Sequence, residues 1–171
     1  MKKHLLAVAA IALSLNGYAA DDAAWMRYCS ISPDGSTIAF TYKGDIYTVP
    51  SSGGRAFQLT TNDAHDTRPI WSPDGKRIAF ASDRLGGMDI YVVDKNGGVP
   101  VRLTTHSGNE TPLTFKDNEH VYFLANIMPS AEDVQIASSQ FPQVYEVSTS
   151  GGRPVMFSSL PMEDMNIQRE T

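Results

Sequence analysis

A chain of 171 residues, 42% hydrophobic and 19% charged, has the length and composition of one folded domain rather than of a disordered segment. A formal net charge of −5 without a basic cluster argues against nucleic-acid binding by phosphate neutralisation. The single cysteine, Cys29, excludes an intrachain disulfide, and its place in a strand pattern predicts a small buried residue.

In chain order, Met1-Lys2-Lys3-His4 is a short basic start. Leu5 to Leu15 is apolar apart from Ser14, and Gly17-Tyr18-Ala19 places small residues for cleavage after Ala19. The apolar run is too short to cross a bilayer, so residues 1–19 read as a signal peptide. No cysteine follows to carry a lipid. The expectation is an exported chain, periplasmic or extracellular, with no stable membrane anchor.

Residues 25–66 read as one four-stranded unit. Met26 to Ser32 is a strand, and Pro33-Asp34-Gly35 is a turn: proline presets φ, aspartate bonds the local backbone and glycine accepts positive φ. Thr37 to Tyr42, Ile46 to Pro50 and Ala56 to Thr60 are the next strands, parted by Lys43-Gly44 and Ser51-Ser52-Gly53-Gly54. Residues 67–110 repeat the pattern. Ser72-Pro73-Asp74-Gly75 follows Ser32-Pro33-Asp34-Gly35 by 40 positions; Asp89-Ile90-Tyr91, Gly97-Gly98 and Leu103-Thr104 follow Asp45-Ile46-Tyr47, Gly53-Gly54 and Leu59-Thr60 by 44. Residues 111–160 are an altered third copy, with Asp117-Asn118 in place of Asp-Gly and a long insertion at 126–142. Asn118 is expected to take the left-handed position. Residues 161–171 read as the start of a fourth copy.

A period of this size in short strands signals a repeat architecture. A lone four-stranded meander has two apolar faces, and stacking such sheets around an axis buries both. The fold class is therefore all-β: a β-propeller of four-stranded antiparallel blades, with about three blades in the chain. Ala39 and Ala79 would let neighbouring sheets approach. Propellers close with about 4–8 blades, so an N-terminal piece of a longer protein is expected.

No catalytic, cofactor-binding or metal-binding set can be assembled. Ser52, Ser107 and Ser150 sit in turns, and neither a Gly-x-Ser-x-Gly elbow nor a His-Glu-x-x-His helix is present. His65 and Asp66 are adjacent, but neighbours on an extended chain point apart. His106 and His120 have no evident partners. Asp34 and Asp74 read as turn formers, lacking the further oxygen ligands of a calcium loop. Asp83-Arg84 reads as an ion pair or backbone cap within a blade, and Tyr47, Tyr91 and Tyr145 as recurrent packing residues. The loops between second and third strands lengthen along the chain, on the side that also carries the blade links. That side is the expected binding face, with 126–142 contacting a domain, subunit or substrate path.

The succession Ser-Pro-Asp-Gly-x-x-Ile-Ala-Phe, Asp-Ile-Tyr, Gly-Gly and Leu-Thr resembles the propeller repeat of TolB and of tricorn-type proteases. TolB-like proteins place an α/β domain before the propeller, and the repeat here begins too soon after Ala19 for one. Trp25-Met26-Arg27-Tyr28, His65-Asp66-Thr67-Arg68-Pro69-Ile70-Trp71, Ser139-Gln140-Phe141-Pro142 and Gly152-Arg153-Pro154-Val155-Met156-Phe157 resemble secreted bacterial tricorn-protease homologues. The resemblance implies a PDZ-like domain and a serine-peptidase core beyond Thr171, with peptide substrates, the downstream peptidase domain or a homo-oligomer as partners. A non-catalytic, TolB-like scaffold of the cell envelope is the alternative.

Overall fold

The computed structural model describes residues 25–106, 108–126 and 142–158. The signal segment 1–19, Ser107, the loop interior 127–141 with Ser139-Gln140-Phe141, and the fourth-copy segment 161–171 lie outside the described residues. Twelve strands are described. Blade 1 holds β1 (Arg27–Ile31), β2 (Thr37–Tyr42), β3 (Asp45–Pro50) and β4 (Phe57–Gln58). Blade 2 holds β5 (Asp66–Trp71), β6 (Arg77–Ser82), β7 (Asp89–Asp94) and β8 (Val101–Arg102). Blade 3 holds β9 (Glu110–Phe115), β10 (His120–Ala125), β11 (Gln143–Ser148) and β12 (Val155–Ser158). Each blade is an antiparallel meander in chain order, and the first strand of blade 2, β5, packs against both β1 and β9.

The first turn of each blade shows why Ser-Pro-Asp-Gly recurs. Ser32 Oγ donates to Asp34 Oδ1 at 2.6 Å and accepts from Thr37 N at 2.9 Å, while Ser36 N donates to the same carboxylate oxygen at 3.0 Å. Ser72, Asp74, Lys76 and Arg77 repeat these bonds at 2.6, 3.1 and 3.0 Å. Gly35 and Gly75 close the turns at φ of 72° and 66°, where a side chain would be strained. These bonds hold the Asp34 carboxyl down to about 2, the Ser32 hydroxyl contributing most. The folded value lies below the ordinary 3.8, so the turn's contribution to stability is present above that pH and is lost as pH falls toward 2. In an NMR titration Asp34 is expected to titrate near 2, and Ser32→Ala to move it up toward 3.8. A native midpoint at the ordinary value would refute the serine's role.

Blade 3 departs from expectation at this turn. Asn118 does not take a positive φ. Seven positions separate the paired residues Trp71 and Ile78, but only six separate Phe115 and Val121. The shorter loop closes through Lys116 N to His120 O at 3.0 Å, and no residue has to be left-handed. Asn118 instead ties blade 3 to blade 2: its Oδ1 accepts from Asp74 N at 2.9 Å, and its carbonyl accepts from Arg77.

The blades stack by one rule. A face of small and aliphatic residues on one blade meets an aromatic-rich face on the next. Ala39, Ile46 and Leu59 of blade 1 meet Trp71, Ile78, Phe80, Tyr91 and Val93 of blade 2. On the opposite side of blade 2, Ala79, Ile90, Val92 and Leu103 meet Phe115, Val121, Phe123, Tyr145 and Val147 of blade 3. Ala39 and Ala79 are fully buried, as close sheet approach requires. The recurrent tyrosines are packing residues: Tyr47, Tyr91 and Tyr145 lie opposite Phe40, Phe80 and Phe123, with ring centroids 5.9, 6.0 and 5.8 Å apart.

Other expectations are corrected. Cys29 is exposed, as is most of β1: among the described residues β1 packs against β2 and β5, and no further blade covers the other face of blade 1. The first and fourth strands of blade 1 are shorter than expected. Leu59 N and Thr60 N both turn to Ile46 O, at 2.7 and 3.3 Å, so these residues leave the ladder. His106 and His120 do have partners: His106 Nδ1 accepts from Gly108 N at 3.1 Å, and His120 Nδ1 lies 3.0 Å from Asp117 Oδ1.

Candidate functional site

The link from each blade to the next carries a carboxylate cluster with repeated positions. At the first junction Thr60 Oγ1 accepts from Ile46 N at 2.9 Å and reaches Asp45 Oδ1 at 3.3 Å, while Gln58 Nε2 donates to Asp45 Oδ2 at 2.9 Å. Asp66 opens β5 fully buried, and Arg84 Nη2 stands 2.9 Å from both of its oxygens. The same guanidinium lies 4.5 Å over the Tyr91 ring and 5.6 Å over Phe80, and its Nε donates to Ser82 Oγ at 2.9 Å. Asp83 Oδ1 accepts from His65 N at 2.7 Å. The Asp83-Arg84 pair therefore serves as both backbone cap and ion pair.

At the second junction the residues 44 positions on stand in the same places: Asp89, Arg102, Thr104 and Glu110. Thr104 Oγ1 again accepts from the strand backbone, here Ile90 N at 2.9 Å, and Arg102 Nη2 holds Asp89 Oδ2 at 2.7 Å. The Thr104 hydroxyl, however, bonds Glu110 rather than Asp89. Among the described residues Asp89 Oδ1 and Glu110 Oε1 are buried without a hydrogen-bond partner. Burial pushes the Glu110 carboxyl up to about 7 against the Thr104 bond, and the Asp89 charge adds to the rise. Burial likewise raises Asp89, with Arg102 opposing it.

Glu110 also lines a cleft of about 480 Å³ on the side of the 2–3 loops and blade links. Arg27 and Tyr28 of β1, and His65 and Arg68 at β5, line it too. Tyr28 and Arg68 occupy the bulge position of their inner strands with φ of 53° and 56°, a strained conformation that the surrounding ladder must hold. The Arg68 guanidinium stacks 4.4 Å over the Tyr28 ring. Among the described residues neither Arg27 nor Arg68 belongs to an ion pair. Two guanidinium groups, one stacked in place, can bind an anionic group such as a carboxylate by charge-assisted hydrogen bonds.

Among the described residues named above, no nucleophile is set beside a base. His65 and Asp66 are separated by strand alternation, one exposed toward the cleft and the other buried under Arg84. Asp34 and Asp74 are occupied in their turns. Among the described residues no three His, Cys, Asp or Glu side chains are placed to hold a metal ion, and no helix is long and apolar enough to cross a membrane. Sequence reasoning missed Asp89, Thr104 and Glu110. The 44-position offset linking Asp45, Thr60 and Asp66 to them was the available signal.

Residues 23–171 match the family described as the tricorn protease N-terminal beta propeller domain. The tricorn protease homolog 1 of Streptomyces coelicolor is 35% identical over 58 residues, 34% of this chain and 5% of that protein. Dipeptidyl-peptidase 5 of Porphyromonas gingivalis is 43% identical over 109 residues, 57% of this chain and 16% of that protein. The chain thus spans a small fraction of the length of these curated relatives. A solved structure assigned to TolB, from Agrobacterium tumefaciens, is 28% identical with a TM-score of 0.62, covering 78% of this chain and 46% of that one. The tricorn protease structure is alike in fold, with a TM-score of 0.54 at 18% identity over 72% of this chain and 13% of that one.

Proposed function

Since the chain belongs to the tricorn protease N-terminal β-propeller domain family, we propose that it is the propeller portion of an exported, tricorn-like serine peptidase. In this reading the blades gate or position peptide substrates and support assembly, and the catalytic residues lie in another part of the polypeptide. The observation that carries it is the axis-side cleft, where Arg27 and Arg68 carry no ion pair among the described residues and face the loop side of the blades. A peptide led along that side would meet two guanidinium groups suited to its carboxylates. Residues 1–19 direct export to the periplasm or exterior, leaving Ala20 as the first residue.

The test compares this chain with the complete polypeptide of its gene on fluorogenic peptides. The chain alone is expected to show no turnover. In the complete polypeptide, Arg27→Ala with Arg68→Ala is expected to lower kcat/KM about 10-fold for peptides with a free carboxylate, a loss of about 1.4 kcal/mol, and to spare amidated ones. Turnover by the isolated chain would refute the assignment. A complete polypeptide without peptidase activity would favour the TolB-like scaffold, the reading supported by the 28% identity to the Agrobacterium structure.

A further inference from the structure

We propose that Glu110 is a proton-operated latch between blades 2 and 3: neutral, it stays tucked against Thr104 beside Asp89; ionised, its carboxylate swings into the cleft and pairs with Arg27 and Arg68. The inference rests on this chain's side-chain geometry and not on the peptidase reading.

The two junctions supply the argument by contrast. At the first, one threonine hydroxyl serves one carboxylate, Asp45, and the second carboxylate, Asp66, has a guanidinium of its own. At the second, a single hydroxyl faces two carboxyls. Glu110 takes it, leaving Asp89 with Arg102 on one oxygen and, among the described residues, nothing on the other. Among the described residues no cation is paired with Glu110 as Arg84 is with Asp66. Both carboxyls are 1% exposed. Two adjacent carboxylates out of water cannot both stay charged at ordinary cost. One must hold a proton, and Glu110, without a cation, is that one.

The charged groups around Glu110 set the direction of the swing. Asp89 on β7 repels the ionised form, and Arg102 on β8 is already committed to Asp89. His106, in the link before β9, acts on Asp89. Asp66 and Arg84, at the same end of blade 2, neutralise each other. The cations that line the cleft with Glu110 are Arg27 on β1 and Arg68 on β5, beside the His65 ring. Loss of the proton therefore repels the carboxylate from Asp89 toward guanidinium groups across the cleft. Burial holds the Glu110 carboxyl at about 7, so the change falls near neutral pH. The cleft would then be open to a foreign anion on the acid side of neutrality and self-occupied on the alkaline side.

The test follows the Glu110 carboxyl carbon and the Arg27 and Arg68 Nε–H resonances by NMR from about pH 5 to about pH 9 in the intact chain. All three signals are expected to move with one midpoint near 7. In Glu110→Gln the arginine transitions should be lost, and in His65→Asn and His106→Asn they should persist. Arginine resonances that stay still in the native chain would overturn the latch, as would a transition that survives Glu110→Gln. If Glu110→Gln does not fold, the native carboxyl signal decides: a midpoint that differs from that of the arginines refutes the coupling.

Discussion

Arg84→Met is expected to destabilise the fold by about 3–5 kcal/mol, making it one of the most damaging single changes away from the apolar core. Asp66 has no exposed side-chain surface, and Arg84 keeps only 14%. Removing the arginine leaves a buried carboxylate facing the rings of Phe80 and Tyr91, with no other cation within ion-pair distance among the described residues. Methionine fills much of the same space, so the loss reports the charge rather than a cavity. The double variant Arg84→Met with Asp66→Leu tests this, since removing both charges also removes the unpaired one. It should recover most of the stability lost by Arg84→Met alone, read as the shift in denaturant midpoint. A double variant as unstable as the sum of the two single changes would mean that the pair acts through shape and not charge.

The fold was legible because it is written in turns. Ser-Pro-Asp-Gly names a serine that bonds an aspartate, an aspartate that bonds the backbone and a glycine at positive φ, and each of these contacts is present in blades 1 and 2. The alternation of β2 and β6 likewise placed the alanines and the phenylalanines on opposite faces. Legibility failed where one residue was gained or lost. A bulge interrupts β1 at Cys29, which is exposed, and a one-residue deletion before His120 removed the need for a left-handed Asn118. The cleft was illegible for another reason. Arg27, Arg68 and Glu110 lie far apart in sequence and meet only because three inner strands converge on the axis. The orphaned oxygens of Asp89 and Glu110 depend on which carboxyl takes the Thr104 hydroxyl, a choice that repeat spacing does not encode.

Phe80→Ala should cost about 3–5 kcal/mol, and Phe57→Ala less than about 0.5 kcal/mol, although both are phenylalanines in blade strands. Phe80 is fully buried on the face that blade 2 turns to blade 1, stacked beside Tyr91 and beneath Arg84. Its truncation opens a cavity between two sheets whose backbones are held apart by other side chains, so collapse cannot fill it. Phe57 is 62% exposed on the outer strand and has little packing to lose. The comparison asks what makes the blades cohere. A single repeat cannot bury its apolar faces alone, so the fold draws its stability from the clusters between blades. An exchange in the opposite sense probes the same surface, since Ala79→Leu adds bulk where blade 3 already touches blade 2 and should cost about 1–3 kcal/mol by overpacking. Urea unfolding with an unchanged m-value would report all three changes on one scale. If Phe57 mattered as much as Phe80, stability would reside within single blades, and the charged junctions at Asp66 and Glu110 would have no stacked assembly to act upon.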